Sequence, residues 1–457
     1  MNIAAFSYRF FPVGQGLFSC GSLFSPEPHP SHDWLRQIDR RWQGAWSWQG
    51  NCPWHWQSET FIDRHYPWKR SLFFNGARFT PGSEKEPWPR TRLNWVYDCG
   101  TSSSQSLVNE GIHDLQRWCF RGSPIDILTI SHFDRDHISG ICRLIESKKV
   151  RLLLLPYIPL AKRILIAFEE KITPGDELMG FFTNPVDYLA DRGGPGIEEI
   201  LFIPPSPPNG PDFPDDEAGS FEGDGPLPLR FERQPPPDSE ESEQHGNQRR
   251  PYPKVSHLKE GGGVRVPGIW EFVPYNYQLK HDLEEEFYKE VLSERSILLS
   301  TCKKHEKEAA LGRLKKVYEE KFRSSRKRNE ISIFLYSGPV YSRWKTEFMP
   351  PYLISDRGSI LYSGDGFLDS INRVDRLTKF LQKKRMEKTG VFQVMHHGSK
   401  HNWFPGLASQ IAPEFSVFSA GGITHPHREV TDDFKLHWPI HVRKGRSATF
   451  GGLLTAR

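Results

Sequence analysis

The stretch 125–141 constrains the fold and the chemistry of this 457-residue chain more than any other part of it. It opens with Ile-Asp-Ile-Leu-Thr-Ile, a composition typical of a buried strand. Four candidate metal ligands then follow within six residues: His132, Asp134, Asp136 and His137. The alternative is a polar loop whose charges are simply solvated. The density of ligating side chains at one strand end favours a metal site.

Length and composition restrict the remaining options. A chain of 457 residues exceeds the usual size of one domain, so we expect either one core that carries insertions or two domains. The net charge of +4 is too small to indicate nucleic-acid binding by itself. The six cysteines form no C-x-x-C pair, which argues against a zinc ribbon and against a disulfide framework. Without an apolar run of bilayer length or a signal-peptide pattern, the sequence predicts a cytoplasmic protein that does not associate with membranes.

Apolar strands followed by His or Asp recur along the chain. The other predicted strands of this kind are 93–100 with Asp98, 359–366 with Asp365, 391–395 before His396 and His397, and 415–419 before His425 and His427. Their alternation with helical patterns predicts the α/β class. Because open α/β sheets gather ligands at strand termini, we expect these side chains to converge.

Three segments interrupt this pattern, which divides one domain into the halves 1–203 and 329–457. Residues 25–92 are rich in Trp and predict an inserted aromatic cap; a base-stacking platform is the alternative. Residues 204–263 are rich in Pro and acids and predict a mobile loop. Residues 264–328 predict a charged helical insertion, whose basic side chains form either a solvated face or a nucleic-acid contact.

Taken in order, seven short motifs resemble the metallo-β-lactamase fold superfamily of hydrolases, and within it the hydrolase domain of the competence DNA-internalisation protein ComEC. They are Val13-Gly14-Gln15-Gly16, Asp98-x-Gly100, Ser131-His132-x-Asp134-x-Asp136-His137, Asn329-x-x-Ser332, Ser363-Gly364-Asp365, His396-His397-Gly398-Ser399 and His425-Pro426. They span most of the chain, interrupted by the Trp-rich and Pro-rich segments. The resemblance implies a four-layer αβ/βα sandwich with insertions and one or two metal ions at the edge of its sheets.

The resemblance also implies a ligand set. His132 and one of His396 and His397 would bind a first metal ion, Asp136 and His137 a second, Asp365 would bridge the two, and His425 would complete the set. Asp98 would hold the ligand loop without binding metal.

Asp134 stands where the superfamily commonly has His, although the ComEC-like group shares the Asp. It is either an oxygen ligand or the mark of an incomplete first site. Oxygen donors favour Mn²⁺ or Mg²⁺ and imidazoles suit Zn²⁺ or Mn²⁺, so we expect Zn²⁺ or Mn²⁺, with Mg²⁺ left open.

The activity implied is metal-dependent hydrolysis, and the basic helix and aromatic insertion favour a phosphodiesterase or nuclease that acts on DNA or RNA through an activated water. Asp136 would act within the catalytic centre. The His of the 396/397 pair that binds no metal, or His427, could protonate the leaving oxygen. Ser399, Lys400 and Arg428 could hold phosphate oxygens, although His427 and Arg428 could equally face solvent.

Two alternatives remain open at the level of sequence. One is hydrolysis of a small ester, lactone or phosphodiester, with the insertions forming a lid. The other is a non-catalytic metal-binding scaffold or effector partner. Because the membrane channel that accompanies the ComEC domain is absent from this chain, the sequence suggests a free protein, with a protein partner in a DNA-processing or phage-defence system.

Overall fold

The structure is a computed structural model that describes residues 3–24, 91–119, 122–192, 196–213, 225–236, 252–277, 285–299, 304–321, 331–348, 355–422 and 424–457. The predicted Trp-rich insertion lies outside these ranges except for Thr91 and Arg92, as do Asn329 and much of the predicted Pro-rich loop. Within the described ranges, no helix combines the length and the apolar character needed to cross a bilayer.

Two mixed β-sheets form the centre of the molecule. Their strands are β1 Ile3–Phe10, β2 Phe18–Phe24, β3 Thr91–Cys99, β4 Ile125–Thr129, β5 Val150–Pro156, β6 Ile197–Ile203, β7 Arg233–Gln234, β8 Lys254–Leu258, β9 Val264–Val266, β10 Trp270–Tyr277, β11 Ser332–Pro339, β12 Trp344–Phe348, β13 Ser359–Tyr362, β14 Thr389–Gln393, β15 Phe415–Ser419, β16 Pro439–Val442 and β17 Ala448–Ala456. The first sheet has the order β12-β17-β1-β2-β3-β4-β5-β6-β8-β7, and the second has the order β16-β15-β14-β13-β11-β10-β9. Strands from the end of the chain therefore complete the sheet that its beginning starts.

Helices flank both sheets, which places the protein in the α/β class predicted from the sequence. The α-helices are α1 Gln105–Asp114, α2 Arg135–Ile138, α3 Ile141–Ser147, α4 Leu160–Glu169, α5 Met179–Thr183, α6 Pro185–Arg192, α7 Glu285–Leu299, α8 Lys304–Lys321, α9 Ile371–Leu381, α10 Lys383–Glu387, α11 Leu407–Ile411 and α12 Arg428–Asp433. A π-helical turn, Leu115–Cys119, extends α1, and short 3-10 turns span Met395–Gly398, Lys400–Asn402 and Phe434–Leu436.

Successive side chains of a strand belong to separate hydrophobic clusters. In β5, Leu152 and Leu154 belong to a cluster that contains residues of both sheets, whereas Leu153 and Leu155 belong to a cluster with helices α1–α8. A third cluster packs α9 and α11 against the second sheet. Because successive strand residues point to opposite faces, the first sheet contacts the second sheet on one face and helices on the other.

Aromatic side chains join the two sheets. Trp95 of β3 lies 5.6 Å from Trp270 of β10 between ring centroids, and Tyr97 stacks on Tyr362 at 4.5 Å and 12°. All four side chains are buried. The Tyr97 hydroxyl also donates a hydrogen bond of 2.5 Å to the carbonyl of Ile333 in the second sheet. This hydrogen bond joins β3 to β11, close to the strand ends that carry the candidate ligands.

Removal of the Tyr97 hydroxyl tests this connection between the sheets. Tyr97→Phe would leave a buried carbonyl without its donor, so we expect the free energy of unfolding to fall by about 1–2 kcal/mol in urea denaturation. Tyr288→Phe, at an exposed position of α7, should change it by less than about 0.5 kcal/mol. Equal stabilities of the two variants would contradict the assignment of a structural role to this hydrogen bond.

Two predicted segments need correction. The sequence predicts helix over 264–328, and the structure has α7 and α8 in the later part but strands β9 and β10 over 264–277. The aromatic and β-branched residues of Trp270–Tyr277 favour a strand, and pairing with β11 secures it. The predicted mobile loop 204–263 likewise contains β7 and β8, which form one end of the first sheet.

Candidate metal centre

The candidate ligands lie at the carboxyl ends of parallel strands. In the first sheet β3 pairs in parallel with β4, and in the second sheet β13, β14, β15 and β16 are parallel neighbours. The segment after β4 carries His132 and Asp134 and then α2, the segment after β13 carries Asp365, and the segment after β14 carries His396 and His397. Residues more than 260 positions apart are thereby brought together, as the ion pair between Asp136 and His397 shows.

One group of ligand atoms consists of His132, Asp134 and Asp365, all within 4.8 Å of one another. His132 Nε2 lies 3.6 Å from Asp134 Oδ2 and 3.8 Å from Asp365 Oδ2. His396 Nε2 approaches the same Asp365 Oδ2 at 3.5 Å. We call His132, Asp134 and Asp365 the first cluster, and His396 lies beside it. Since zinc ligands at 2.0–2.2 Å from the ion stand roughly 3 to 4 Å apart, this spacing fits a cation.

The second cluster consists of Asp136, His137, Asp365 and His397. His397 Nε2 lies 3.0 Å from Asp136 Oδ2 and 3.9 Å from Asp365 Oδ1. His137 Nε2 lies 3.1 Å from Asp365 Oδ1 and 3.9 Å from Asp136 Oδ1. Asp365 thus presents one oxygen to each cluster, as expected of the carboxylate that would bridge two ions.

The Nδ1 atoms of the three clustered imidazoles and of His396 have hydrogen-bond partners outside the clusters. The pairs are His132 with Ser131 Oγ at 2.8 Å, His137 with Asp98 Oδ2 at 2.7 Å, His396 with Asn402 Oδ1 at 2.8 Å, and His397 with the Ser419 carbonyl at 2.5 Å. An Nδ1–H that donates outward leaves the lone pair on Nε2, which faces the clusters. Nε2 of His132 and of His137 are buried and have no hydrogen-bond partner of acceptable geometry among the described residues. Imidazoles held in this way fit a divalent metal ion.

Asp98 supports the ligand segment from behind. Its carboxylate accepts hydrogen bonds of 2.7 Å from the Ser131 backbone N–H, from Ser131 Oγ and from His137 Nδ1. It is fully buried and has a φ of 54°, a conformation that costs a non-glycine residue about 1–3 kcal/mol. Gly100 lies against α2, where a Cβ atom would stand 2.5 Å from the His137 carbonyl carbon. These contacts are those required of a residue that holds the ligand loop.

The segment 396–398 separates its two imidazoles into different clusters. His396, His397 and Gly398 all have left-handed φ values, 45°, 57° and 85°. The sequence leaves open which of the two histidines would bind metal. The structure places His396 beside the first cluster and His397 in the second, so both are candidate ligands and neither is left over as a proton donor.

The supporting roles of Asn402, Gln393 and Ser131 were not predicted from the sequence. Asn402 is fully buried; its Nδ2 donates to the carbonyl of Asp365 at 2.8 Å while its Oδ1 orients His396. Gln393 Oε1 accepts hydrogen bonds of 2.8 Å from the backbone of Ser363 and Gly364, which shapes the turn before Asp365. Only Ser131 lay within a recognisable motif, and a residue such as Asn402 carries no local signal of its contacts.

His425 and His427 lie beside the clusters. The His425 ring centroid stands 5.7 Å from that of His396 and 6.5 Å from that of His397, and His425 is absent from both sets of converging ligand atoms among the described residues. Burial, followed by His396 and His397, lowers the pKa of His425 to about 4. Its Nδ1 lies 3.2 Å from His427 Nδ1, which also accepts a hydrogen bond from the Lys400 backbone.

The three predicted phosphate-binding residues have different surroundings. Ser399 is buried, and its Oγ accepts from the His401 backbone, so the side chain caps the turn Lys400–Asn402 and does not face outward. Lys400 is exposed beside His427. Arg428 is exposed and forms an ion pair of 3.5 Å with Asp432 along α12.

The charges of the clusters are interdependent. Burial opposes ionisation of Asp365 and Asp136, but the adjacent imidazoles outweigh it; the pKa of Asp365 falls well below its usual range and that of Asp136 falls to about 2. Burial likewise opposes protonation of His137, yet Asp365, Asp98 and Asp136 raise its pKa well above the usual value. The pKa values of His132 and His397 are raised by neighbouring carboxylates in the same way. Metal binding must therefore displace protons.

This competition predicts a pH dependence of metal binding. In metal-free protein, imidazoles whose pKa is raised by folding stabilise the fold fully below their pKa in the unfolded chain, about 6.5. This stabilisation is lost as the pH rises through their pKa values in the folded protein. Carboxyl groups whose pKa is lowered by folding stabilise the fold above about pH 4, and this stabilisation is lost as the pH falls through their pKa values in the folded protein. We therefore expect the increase in Tm on adding Zn²⁺ or Mn²⁺ to EDTA-treated protein to grow between about pH 5.5 and 8. An increase independent of pH would contradict proton displacement from these imidazoles.

A scan against protein-family models finds no match to this chain, and a search of curated proteins finds none either.

Proposed function

We propose that this protein is a metal-dependent phosphodiesterase that cleaves DNA or RNA. The observation that carries the proposal is the position of Asp365, whose two oxygens face two groups of buried His and Asp ligand atoms. A carboxylate shared between two such groups is the arrangement expected of a dinuclear hydrolytic centre. The donor set of imidazoles and carboxylates favours Zn²⁺ or Mn²⁺.

The arrangement of the core supports the resemblance to the metallo-β-lactamase superfamily. The two sheets share one hydrophobic cluster, and each sheet shares a further cluster with helices. We assign this as the four-layer αβ/βα sandwich that the resemblance implies. Its site lies where β4 of one sheet and β13–β15 of the other end, which accounts for ligands drawn from both halves of the chain.

The chain's own residues would divide the work of hydrolysis. The Nε2 atoms of His132 and His396 face the first cluster, and those of His137 and His397 face the second. A pair of divalent cations held there would lower the pKa of a water molecule and stabilise charge on the phosphate oxygens. Asp98, Asn402 and the other hydrogen-bond partners fix the imidazoles in place before substrate arrives.

Outer residues would handle the substrate. His427 lies next to His425 at the rim of the clusters and is the candidate to protonate the leaving oxygen. Lys400 is exposed beside it and is positioned to contact a phosphate oxygen. Arg428 is exposed at the start of α12, where exchange of its Asp432 partner for phosphate would be inexpensive because surface ion pairs are weak.

The proposal is tested with purified protein loaded with Zn²⁺ or Mn²⁺. We expect cleavage of single-stranded DNA, double-stranded DNA or RNA, and hydrolysis of bis(p-nitrophenyl) phosphate in preference to p-nitrophenyl acetate. Both activities should disappear in EDTA and in the variants Asp365→Asn and His132→Ala. Preference for the carboxyl ester would identify a small-ester hydrolase instead. Metal binding without turnover of either substrate class would identify a scaffold.

A further inference from the structure

The turn that follows β16 places three cations at the same end of the second sheet as the metal clusters. Residues 443–446 read Arg-Lys-Gly-Arg, and all four are exposed. β16 pairs in parallel with β15, and Ser419, the last residue of β15, pairs with Val442, the last residue of β16. Since β13, β14 and β15 lead into the candidate site, the carboxyl end of β16 belongs to the same edge.

Hydrogen bonds connect this turn to the second cluster over a short path. His397 Nδ1 donates to the Ser419 carbonyl at 2.5 Å, and the next residue, Ala420, donates its N–H to the Val442 carbonyl at 3.1 Å. Arg443 follows Val442 directly. Because neighbouring strands stand about 4.8 Å apart, the turn begins one strand away from the segment that orients His397.

The backbone of the turn pairs two like charges. Arg443 N–H donates to the Arg446 carbonyl at 3.1 Å, and Arg446 N–H donates to the Arg443 carbonyl at 2.7 Å. Gly445 has a φ of 75°, which allows the tight reversal. Residues that exchange both hydrogen bonds project from the same face of the ribbon, and like charges in this position repel. An anion bound between the two arginine side chains would attract both and offset this repulsion.

Two of the three cations have no acidic partner among the residues that the structure describes. Neither Arg443 nor Lys444 forms an ion pair with the acidic residues of the described ranges. The titratable ring of His441, on β16, stacks on Phe418 at 5.2 Å and 15°. Burial, then Arg446 and Arg443, lower the pKa of His441, so this imidazole stays neutral beside the turn.

Helix α8, the basic segment noted in the sequence, differs from the turn in this respect. Three of its cations are paired: Lys304 with Glu308 and Lys315 with Glu319 along the helix, and Arg313 with Glu294 of α7. Such pairing is typical of a solvated helix face. Unlike α8, the turn lies at the edge of the sheet that leads into the metal clusters, so its cations are the better candidates to bind a polyanionic ligand.

We propose that Arg443, Lys444 and Arg446 bind successive phosphates of a nucleic-acid strand whose scissile phosphate lies at the metal clusters. This inference rests on the proposed phosphodiesterase function and specifies its substrate as a polyanionic strand. A single ester group would occupy the clusters without reaching the turn. Three exposed cations within four residues at the edge of the site would instead set the path of a polymer.

The test measures binding separately from turnover. A fluorescein-labelled single-stranded oligonucleotide is titrated with the full-length protein in EDTA, and anisotropy is followed over a range of NaCl concentrations. We expect the variant Arg443→Gln/Lys444→Gln/Arg446→Gln to bind at least about tenfold more weakly at low salt, with a salt slope reduced by about 2, since each phosphate contact on a single strand contributes about 0.7. The matched variant Lys304→Gln/Lys315→Gln/Lys316→Gln removes the same charge from α8 and should bind like the wild type.

A charge-conserving variant distinguishes the effect of lost charge from that of a changed turn structure. Arg443→Lys/Arg446→Lys keeps the charge and should retain the wild-type salt slope. Wild-type affinity and slope in the Gln variant of the turn, or an equal loss in the α8 variant, would overturn the inference, as would an oligonucleotide that the wild type does not bind. Hydrolysis of bis(p-nitrophenyl) phosphate by the wild type reports the proposed function independently. Turnover of that diester alongside any of these binding results would establish phosphodiesterase activity while the role of the turn fails.

Discussion

Replacement of Asp365 by asparagine is expected to reduce phosphodiester hydrolysis by about a thousandfold or more, equivalent to about 4 kcal/mol of activation free energy. Both oxygens of this carboxylate face ligand atoms, Oδ2 towards His132 and His396 and Oδ1 towards His137. Asparagine removes the charge that balances both clusters and directs an N–H group at one of them. Loss of this one side chain should therefore affect both clusters together.

The measurement is kcat/KM for bis(p-nitrophenyl) phosphate at saturating Mn²⁺ or Zn²⁺. Asp375→Asn, at an exposed position of α9, removes the same charge elsewhere and should retain wild-type activity. Activity of Asp365→Asn within tenfold of the wild type would show that catalysis does not depend on a bridging carboxylate.

Asp98→Asn should weaken metal binding by about 10- to 100-fold, although Asp98 is not itself a candidate ligand. The carboxylate accepts three hydrogen bonds, two from Ser131 and one from His137. An asparagine amide would turn a donor towards at least one of these donors, so His137 would lose its fixed orientation. The free energy of unfolding should fall as well, by about 1–3 kcal/mol, because a buried donor loses its acceptor.

A second buried aspartate on the neighbouring strand provides the control. Asp126 of β4 accepts hydrogen bonds from the Asn94 backbone at 2.7 Å and from Arg151 at 2.6 Å, away from the ligand segment. Asp126→Asn should therefore cost comparable stability and leave metal affinity unchanged in isothermal titration. If both variants lost metal affinity equally, the effect of Asp98 would be one of general destabilisation.

Local sequence patterns predict the strands that carry ligands because each pattern is contained within a few residues. The aliphatic run 125–130 and the apolar residues before His396 read as strands on composition alone, and the structure has β4 and β14 there. Convergence of their ends follows from the topology of parallel strands. The strands over 264–277 could not be predicted in this way, because β10 is stabilised by pairing with a strand about sixty residues later.

The supporting hydrogen bonds of the site could not be predicted in the same way. The partners of His132 and His396 are close in sequence, but nothing in the residues themselves shows that Ser131 and Asn402 turn towards an imidazole. The partner of His397 is a backbone carbonyl, that of Ser419, which any residue could supply. The assignment of His396 and His397 to separate clusters depends on three consecutive left-handed residues, of which only Gly398 favours that conformation by its chemistry.

The metal content of the purified protein tests the central claim most directly. After loading with Zn²⁺ or Mn²⁺ and exhaustive dialysis, inductively coupled plasma mass spectrometry should find about two ions per chain in the wild type, about one each in His132→Ala and His397→Ala, and close to none in Asp365→Asn. Wild-type protein that retains no metal, or an Asp365→Asn variant that retains as much as the wild type, would contradict a centre built around this shared carboxylate.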